Sequence, residues 1–223
     1  MKTTIAPGIH TNRPRKLKRI SNPVQQIGTW SAWLSLVFAL GYVVAQFLSW
    51  LKLITYPGEL FWLFLPSLFL APAFLITMIC VHYMASDRLK IWTSIAAAFA
   101  IVYCSFTTLT YFSQLGSIVP ALMRGEIGDT HPLIFKPRSF TMSIDCLGYF
   151  FMSLSTLFAA FAFRHADKKL YGWMLFNGLL ILLLIPAYFD TYLYYFGSVW
   201  AVSFSMSMIY AARLFREKGE AAG

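Results

Sequence analysis

Six apolar stretches, each close to the ~20 residues that a helix needs to cross a hydrocarbon core of about 30 Å, succeed one another along most of this 223-residue chain. They fall at Thr29–Leu51, Leu60–Met84, Ile91–Leu115, Ser139–Phe163, Tyr171–Tyr188 and Tyr192–Leu214. In a bilayer every backbone N–H and C=O must find a partner within the protein, so an apolar run of this length is a helix. Composition agrees: 58% of residues are hydrophobic and only 12% charged, which no soluble domain of this size sustains. The fold class that follows is all-α, a polytopic bundle of six transmembrane helices. A tight turn around Asp190 separates the last two stretches, and the alternative is five spans with one long broken helix. At 1.5 Å per residue, 171–214 is about twice the bilayer thickness, which favours six.

Lys and Arg set the orientation. Of the 18 such residues, fourteen lie in the N-terminal arm, the second and fourth connections and the C-terminal tail, and four (Lys52, Arg124, Lys136, Arg138) on the opposite side. Both termini are therefore expected in the cytoplasm. The net charge of +9 is spent on this asymmetry, so it argues for the lipid bilayer as a partner and not for nucleic acid. Three domains of behaviour result: a basic arm over 1–28 without hydrophobic periodicity and expected to be disordered, the membrane domain over 29–215, and a tail over 216–223. The arm lacks the form of a cleavable signal, and the first span is expected to persist in the mature protein.

Within this frame one residue stands out. Asp145 lies near the start of the fourth stretch, roughly 8–10 Å along its helix, where an ionisable side chain costs about 2.5–3.5 kcal/mol on insertion scales unless it faces the bundle interior. On that helix it shares a face with Gly148, Tyr149, Met152 and Thr156. The third stretch carries a matching polar stripe, Tyr103, Thr107, Thr110 or Tyr111, and Gln114, spaced to line one helix face. Gln46 in the first span and Asp190 at the end of the fifth reach the same depth. A binding site for a small molecule or lipid headgroup is thus expected from Asp145, Gln114, Tyr111, Thr107, Tyr149 and Gln46. The competing reading is structural: Asp145 accepts hydrogen bonds from neighbouring helices or pairs with Arg138. Asp190, among Tyr188, Tyr192, Tyr194 and Tyr195, reads as a turn residue in an aromatic belt.

The connection 116–138 is the sizeable outer loop, and its His131, Glu126 and Arg138 could contribute to the site. Ser117, Pro120 and Gly125 suggest a short helix capped by Ser117 and stopped at Gly125. Pro66 and Pro72 favour a kink in the second span. Ser203 and Ser207, like Ala96 and Ala100, are small residues spaced for close helix packing. Cys80, Cys104 and Cys146 lack metal-ligand or disulfide spacing, so no metal site is expected, and no cofactor is identified.

Catalytic signatures are missing from the sequence: it has no HExxH, no GxSxG and no nucleotide-binding glycine pattern. Recognition or transport of a small molecule or lipid from the outer face is the leading expectation. A membrane-embedded hydrolase or transferase using Asp145 with His131 or loop carboxylates is the alternative, as is a ligand-free accessory subunit that works with other membrane chains or as a homo-oligomer. The segments Tyr111-Phe112-Ser113-Gln114-Leu115, Arg124-Gly125-Glu126, Asp145-Cys146-Leu147-Gly148-Tyr149 and Met152-Ser153-Leu154 resemble a group of bacterial integral membrane proteins of unassigned activity. The likeness spans Tyr111 to Ala160. In that group two adjacent acids often precede Leu-Gly-Tyr, whereas Cys146 holds the second position here. The resemblance implies a bacterial inner-membrane setting and draws attention to Asp145 and Gln114.

Overall fold

The computed structural model describes residues 23–128, 131–183, 186 and 199–221, the last four of these by backbone alone. The basic arm before Pro23, Asp129, Asp190 with its neighbouring tyrosines, and parts of the last two predicted spans lie outside the described residues. The chain is helical: α1 (Pro23–Trp50), α2 (Gly58–Met84), α3 (Lys90–Ser113), α4 (Val119–Met123), α5 (Phe140–Phe163), α6 (Lys168–Leu179) and α7 (Val199–Ala221). Four helical stretches are long and apolar enough to cross a membrane: α1, α2, the continuous run Asp87–Met123 containing α3 and α4, and α5. α1 is already helical at Pro23, the first described residue, ahead of the apolar run that begins at Thr29.

Side-chain chemistry marks two helix starts. The Ser139 hydroxyl accepts from the Met142 N–H at 3.1 Å, and the Asp167 carboxylate accepts from Lys169 and Leu170 N–H groups at 2.9 and 3.0 Å. The expected cap at Ser117 does not form. Instead α3 runs on through a wide turn, Gln114–Ile118, in which the Val119 N–H reaches back five residues to the Gln114 carbonyl, and then into α4. Ser117 sits inside that turn, so the short helix is an extension of α3. Its stop is as the sequence suggests: Gly125 adopts φ 71°, its N–H bonds to Leu122 and the next N–H, of Glu126, bonds back to Ala121.

Neighbours in sequence are neighbours in space, and the ring closes where α7 packs on α1. Named contacts give four of the pairings, α1–α2, α2–α3, α3–α5 and α7–α1, an antiparallel sense. α1 meets α2 at Ser31–Thr77 and Gly41–Pro66; α2 meets α3 at His82–Thr93 and Phe64–Tyr111; α3 meets α5 at Ala96–Ser155 and Thr107–Gly148. The circuit continues with Thr156–Asn177 between α5 and α6, and returns through Phe215–Gly28 and Trp200–Tyr42 between α7 and α1. Phe74 of α2 occupies the centre, with ring centroids 5.5 Å from Tyr103 of α3 and 5.7 Å from Phe204 of α7. Pro66 and Pro72 lie within an unbroken α2, and Pro66 packs on the bare backbone of Gly41. The small residues Ala96, Ala100, Ser203 and Ser207 are all buried, as close packing requires.

The outside of the ring is apolar. Trp30, Leu34, Val37, Phe47, Phe69, Ile76, Ile101, Leu109, Phe112 and Leu182 are all exposed, a girdle that would aggregate in water and suits lipid.

Candidate functional site

The polar stripe of α3 faces inward. Tyr103, Thr107, Thr110, Tyr111 and Gln114 are buried, while the exposed Ser105, Leu109 and Phe112 turn to the periphery. Across from the stripe, α5 brings Asp145 to the same level, at 7% exposure. No other residue with a formal charge is buried among those described.

Three phenols surround this carboxyl. The Tyr111 hydroxyl is directed at it, and the Tyr111 and Tyr149 hydroxyl oxygens are 3.3 Å apart. Tyr103 sets its ring 5.8 Å from that of Tyr149. Tyr149 in turn meets Trp200 of α7 edge-on at 5.5 Å, and Trp200 stacks on Phe204 at 5.1 Å. The aromatic wall is thus drawn from α3, α5 and α7. Asp145 Oδ1, Tyr103 Oη and Trp200 Nε1 are buried without a hydrogen-bond partner, as is Thr110 Oγ1. Buried polar atoms are nearly always paired, so these atoms, unpaired among the described residues, set the cluster apart from the rest of the bundle interior.

The remaining predicted residues take different roles. Thr107 donates to the Tyr103 carbonyl at 2.8 Å and lays its methyl against Gly148, which makes it a packing residue of the α3–α5 contact. Gln114 directs its amide to the connection between α4 and α5: Nε2 donates to the Leu133 carbonyl at 2.7 Å and Oε1 accepts from the Phe135 N–H at 3.3 Å. Thr141 donates to the same Leu133 carbonyl at 3.0 Å. Together they hold 133–135 over the end of the bundle, with Phe135 5.1 Å from Phe64 and Phe64 stacked on Tyr111. Gln46 accepts from the Tyr42 hydroxyl one turn earlier on α1, and Tyr42 in turn meets Trp200 edge-on.

The loop residues stay outside. Glu126 is tied to Arg124 in an exposed ion pair. His131 Nδ1 accepts from the Leu133 N–H at 3.3 Å and shapes a local turn. Arg138 is exposed, with φ 64°, one residue before the cap of α5.

Two residues that pattern reading passed over are central. Trp200 supplies the α7 wall. Asn177, fully buried in α6, donates to Thr156 at 3.0 Å and accepts from Ser203 at 2.8 Å, pinning α5, α6 and α7 together. An amide in the middle of an apolar span was the signal for Asn177, since such a group requires partners on neighbouring helices. A shallow groove of about 440 Å³ between α2 and α3, lined by Leu75, Ile101, Cys104, Ser105, Thr108, Leu109 and Phe112, lies on the other side of α3 and is not part of the cluster. Among the described residues no group of His, Cys, Asp and Glu is placed to hold a metal ion.

Compared with protein-family models, with curated proteins and with solved structures, the chain finds no significant match in any of the three.

Proposed function

We propose that the chain is a six-span membrane protein of the bacterial inner membrane, with both termini inside, that recognises a small molecule or lipid headgroup at Asp145 from the outer face as part of transport. The alternating ring of helices supports six crossings, and the Lys and Arg asymmetry supports the orientation. The observation that carries the reading is the Asp145 carboxyl itself. It is the one formally charged group buried among the described residues, and one of its oxygens has no partner. A purely structural aspartate at this depth would be expected to satisfy both oxygens from the hydroxyl-rich helices around it.

Native mass spectrometry of the protein extracted in its own lipids tests this directly. An extra mass of defined size on the wild type, lost in Asp145→Asn, is the expected result. A wild type that carries no such mass, or carries it equally in the variant, would remove Asp145 from any binding role. A stable second subunit in the same spectrum, without a bound small molecule, would instead favour an accessory chain.

A further inference from the structure

We propose that the species held at Asp145 is a small organic cation of the ammonium type; this rests on the binding role proposed above and names its ligand class. Charge is the first reason. Among the described residues no Lys, Arg or His is buried, so a carboxylate, phosphate or zwitterionic ligand would meet Asp145 without a buried base to neutralise its own negative group. A cation meets the opposite situation: a carboxylate oxygen without a partner, in a region from which water is largely excluded and where opposite charges attract far more strongly than in bulk solvent.

The wall is the second reason. Tyr103, Tyr149 and Trp200 contact one another in sequence, at 5.8 and 5.5 Å between ring centroids, and Tyr111 adds a fourth aromatic ring beside the carboxyl. Aromatic faces carry negative potential, and a carboxylate backed by several of them is the chemistry that selects alkylated ammonium groups over hydrated metal ions. An ammonium that carries an N–H, such as ethylammonium, donates it to Asp145 Oδ1 while its alkyl group rests on the rings, whereas tetramethylammonium, with no N–H, is held by charge and the ring faces alone. The 133–135 segment, bonded to Gln114 and Thr141, lies at this same end of the bundle.

The test uses the full chain in lipid nanodiscs and follows thermal unfolding with ethylammonium, tetramethylammonium, sodium and acetate salts at matched ionic strength. The expected result is a concentration-dependent stabilisation by an ammonium that sodium and acetate do not reproduce and that Asp145→Asn abolishes. Should Asp145→Asn fail to fold, Tyr149→Phe and Tyr149→Leu take its place. The first keeps the ring and loses less affinity than the second, which weakens binding about tenfold. No stabilisation by either ammonium, or an equal response to Tyr149→Phe and Tyr149→Leu, overturns the cation assignment. The broader binding role is judged separately by the extra mass in native spectra: an anionic or neutral mass that depends on Asp145 would preserve that role and refute the ammonium class.

Discussion

The hydroxyl oxygens of Tyr111 and Tyr149 stand 3.3 Å apart beside Asp145 and join α3 to α5 at the depth where the bundle is most polar. Removing either hydroxyl leaves the ring in place, so the stack of Tyr111 on Phe64 and the contact of Tyr149 with Trp200 survive. Tyr111→Phe and Tyr149→Phe are each expected to cost about 0.6–1.7 kcal/mol, the range of interhelical hydrogen bonds in membranes. The double variant should cost less than the two singles added, because the second change removes a bond already broken. Strict additivity in reversible unfolding would show that the two hydroxyls do not interact.

Gln114 makes a prediction about the connection between α4 and α5 rather than about the site. Its side chain holds both the Leu133 carbonyl and the Phe135 N–H. Gln114→Ala should therefore speed hydrogen exchange at the Phe135 amide and cleavage by protease within 126–137, with little change in exchange along α1 or α7. Gln114→Glu keeps an acceptor for Phe135 but loses the donor to Leu133, so it should release the segment only in part. Each lost buried bond is worth about 1–3 kcal/mol locally. Unchanged exchange at Phe135 in Gln114→Ala would mean that Thr141 and the Phe135–Phe64 contact hold the segment without help.

Acid should act weakly on the same loop. Hydrogen bonding from Arg124 holds the Glu126 carboxyl below its ordinary value of 4.5, and Glu126 holds Arg124 above its own. A carboxyl lowered on folding contributes stability above its unfolded value, and that contribution disappears as pH falls through the lower folded value. Both side chains are more than half exposed, so screening leaves little of it. Glu126→Gln is expected to match the wild type in melting temperature at pH 7 and about 150 mM salt. At low salt the wild type should hold a small advantage near neutrality and lose it on acidification below the carboxylate range. A fall of several degrees at pH 7 would show that Glu126 does more than pair with Arg124.

The helical class, four of the spans and the inward face of α3 were legible because each rests on a local rule: run length against bilayer thickness, and a polar stripe at helical spacing. The role of Gln114 was not legible. Its depth on the stripe could be counted along the helix, but its partners, the Leu133 carbonyl and Phe135 N–H, are backbone groups about twenty residues away whose placement depends on how the connection folds back. Ser117 misled for a related reason. Its position before a proline is the pattern of a cap, yet α3 widens by one residue at Gln114–Ile118 and keeps going, which a sequence of capping residues cannot reveal. Trp200 was hidden in an apolar run and became part of the site only because α7 closes the ring beside Tyr149.

Glycines offer the sharpest test of how tightly that ring is closed. A Cβ on Gly178 of α6 would stand 2.6–2.7 Å from Leu157 Cβ, Cα and N, so backbone would have to move. On Gly148 of α5 it would stand 2.8 Å from the Thr107 methyl. That methyl turns away only if the Thr107 hydroxyl gives up its 2.8 Å bond to the Tyr103 carbonyl. At Gly172, also in α6, nothing lies within 4 Å. Overpacking costs about 1–3 kcal/mol, and more where backbone is the obstacle. Replacing Gly by Ala in an open helical position instead gains about 0.5–1 kcal/mol of chain entropy. The expected order of stability in a nanodisc is therefore Gly172→Ala at or above wild type, Gly148→Ala below it and Gly178→Ala lowest. If Gly178→Ala unfolds no earlier than Gly172→Ala, α6 does not press on α5 at Leu157. Gly148→Ala carries a second readout, because a shift of Thr107 displaces the α3 wall. It should weaken whatever Asp145 holds, while Gly172→Ala leaves that binding unchanged.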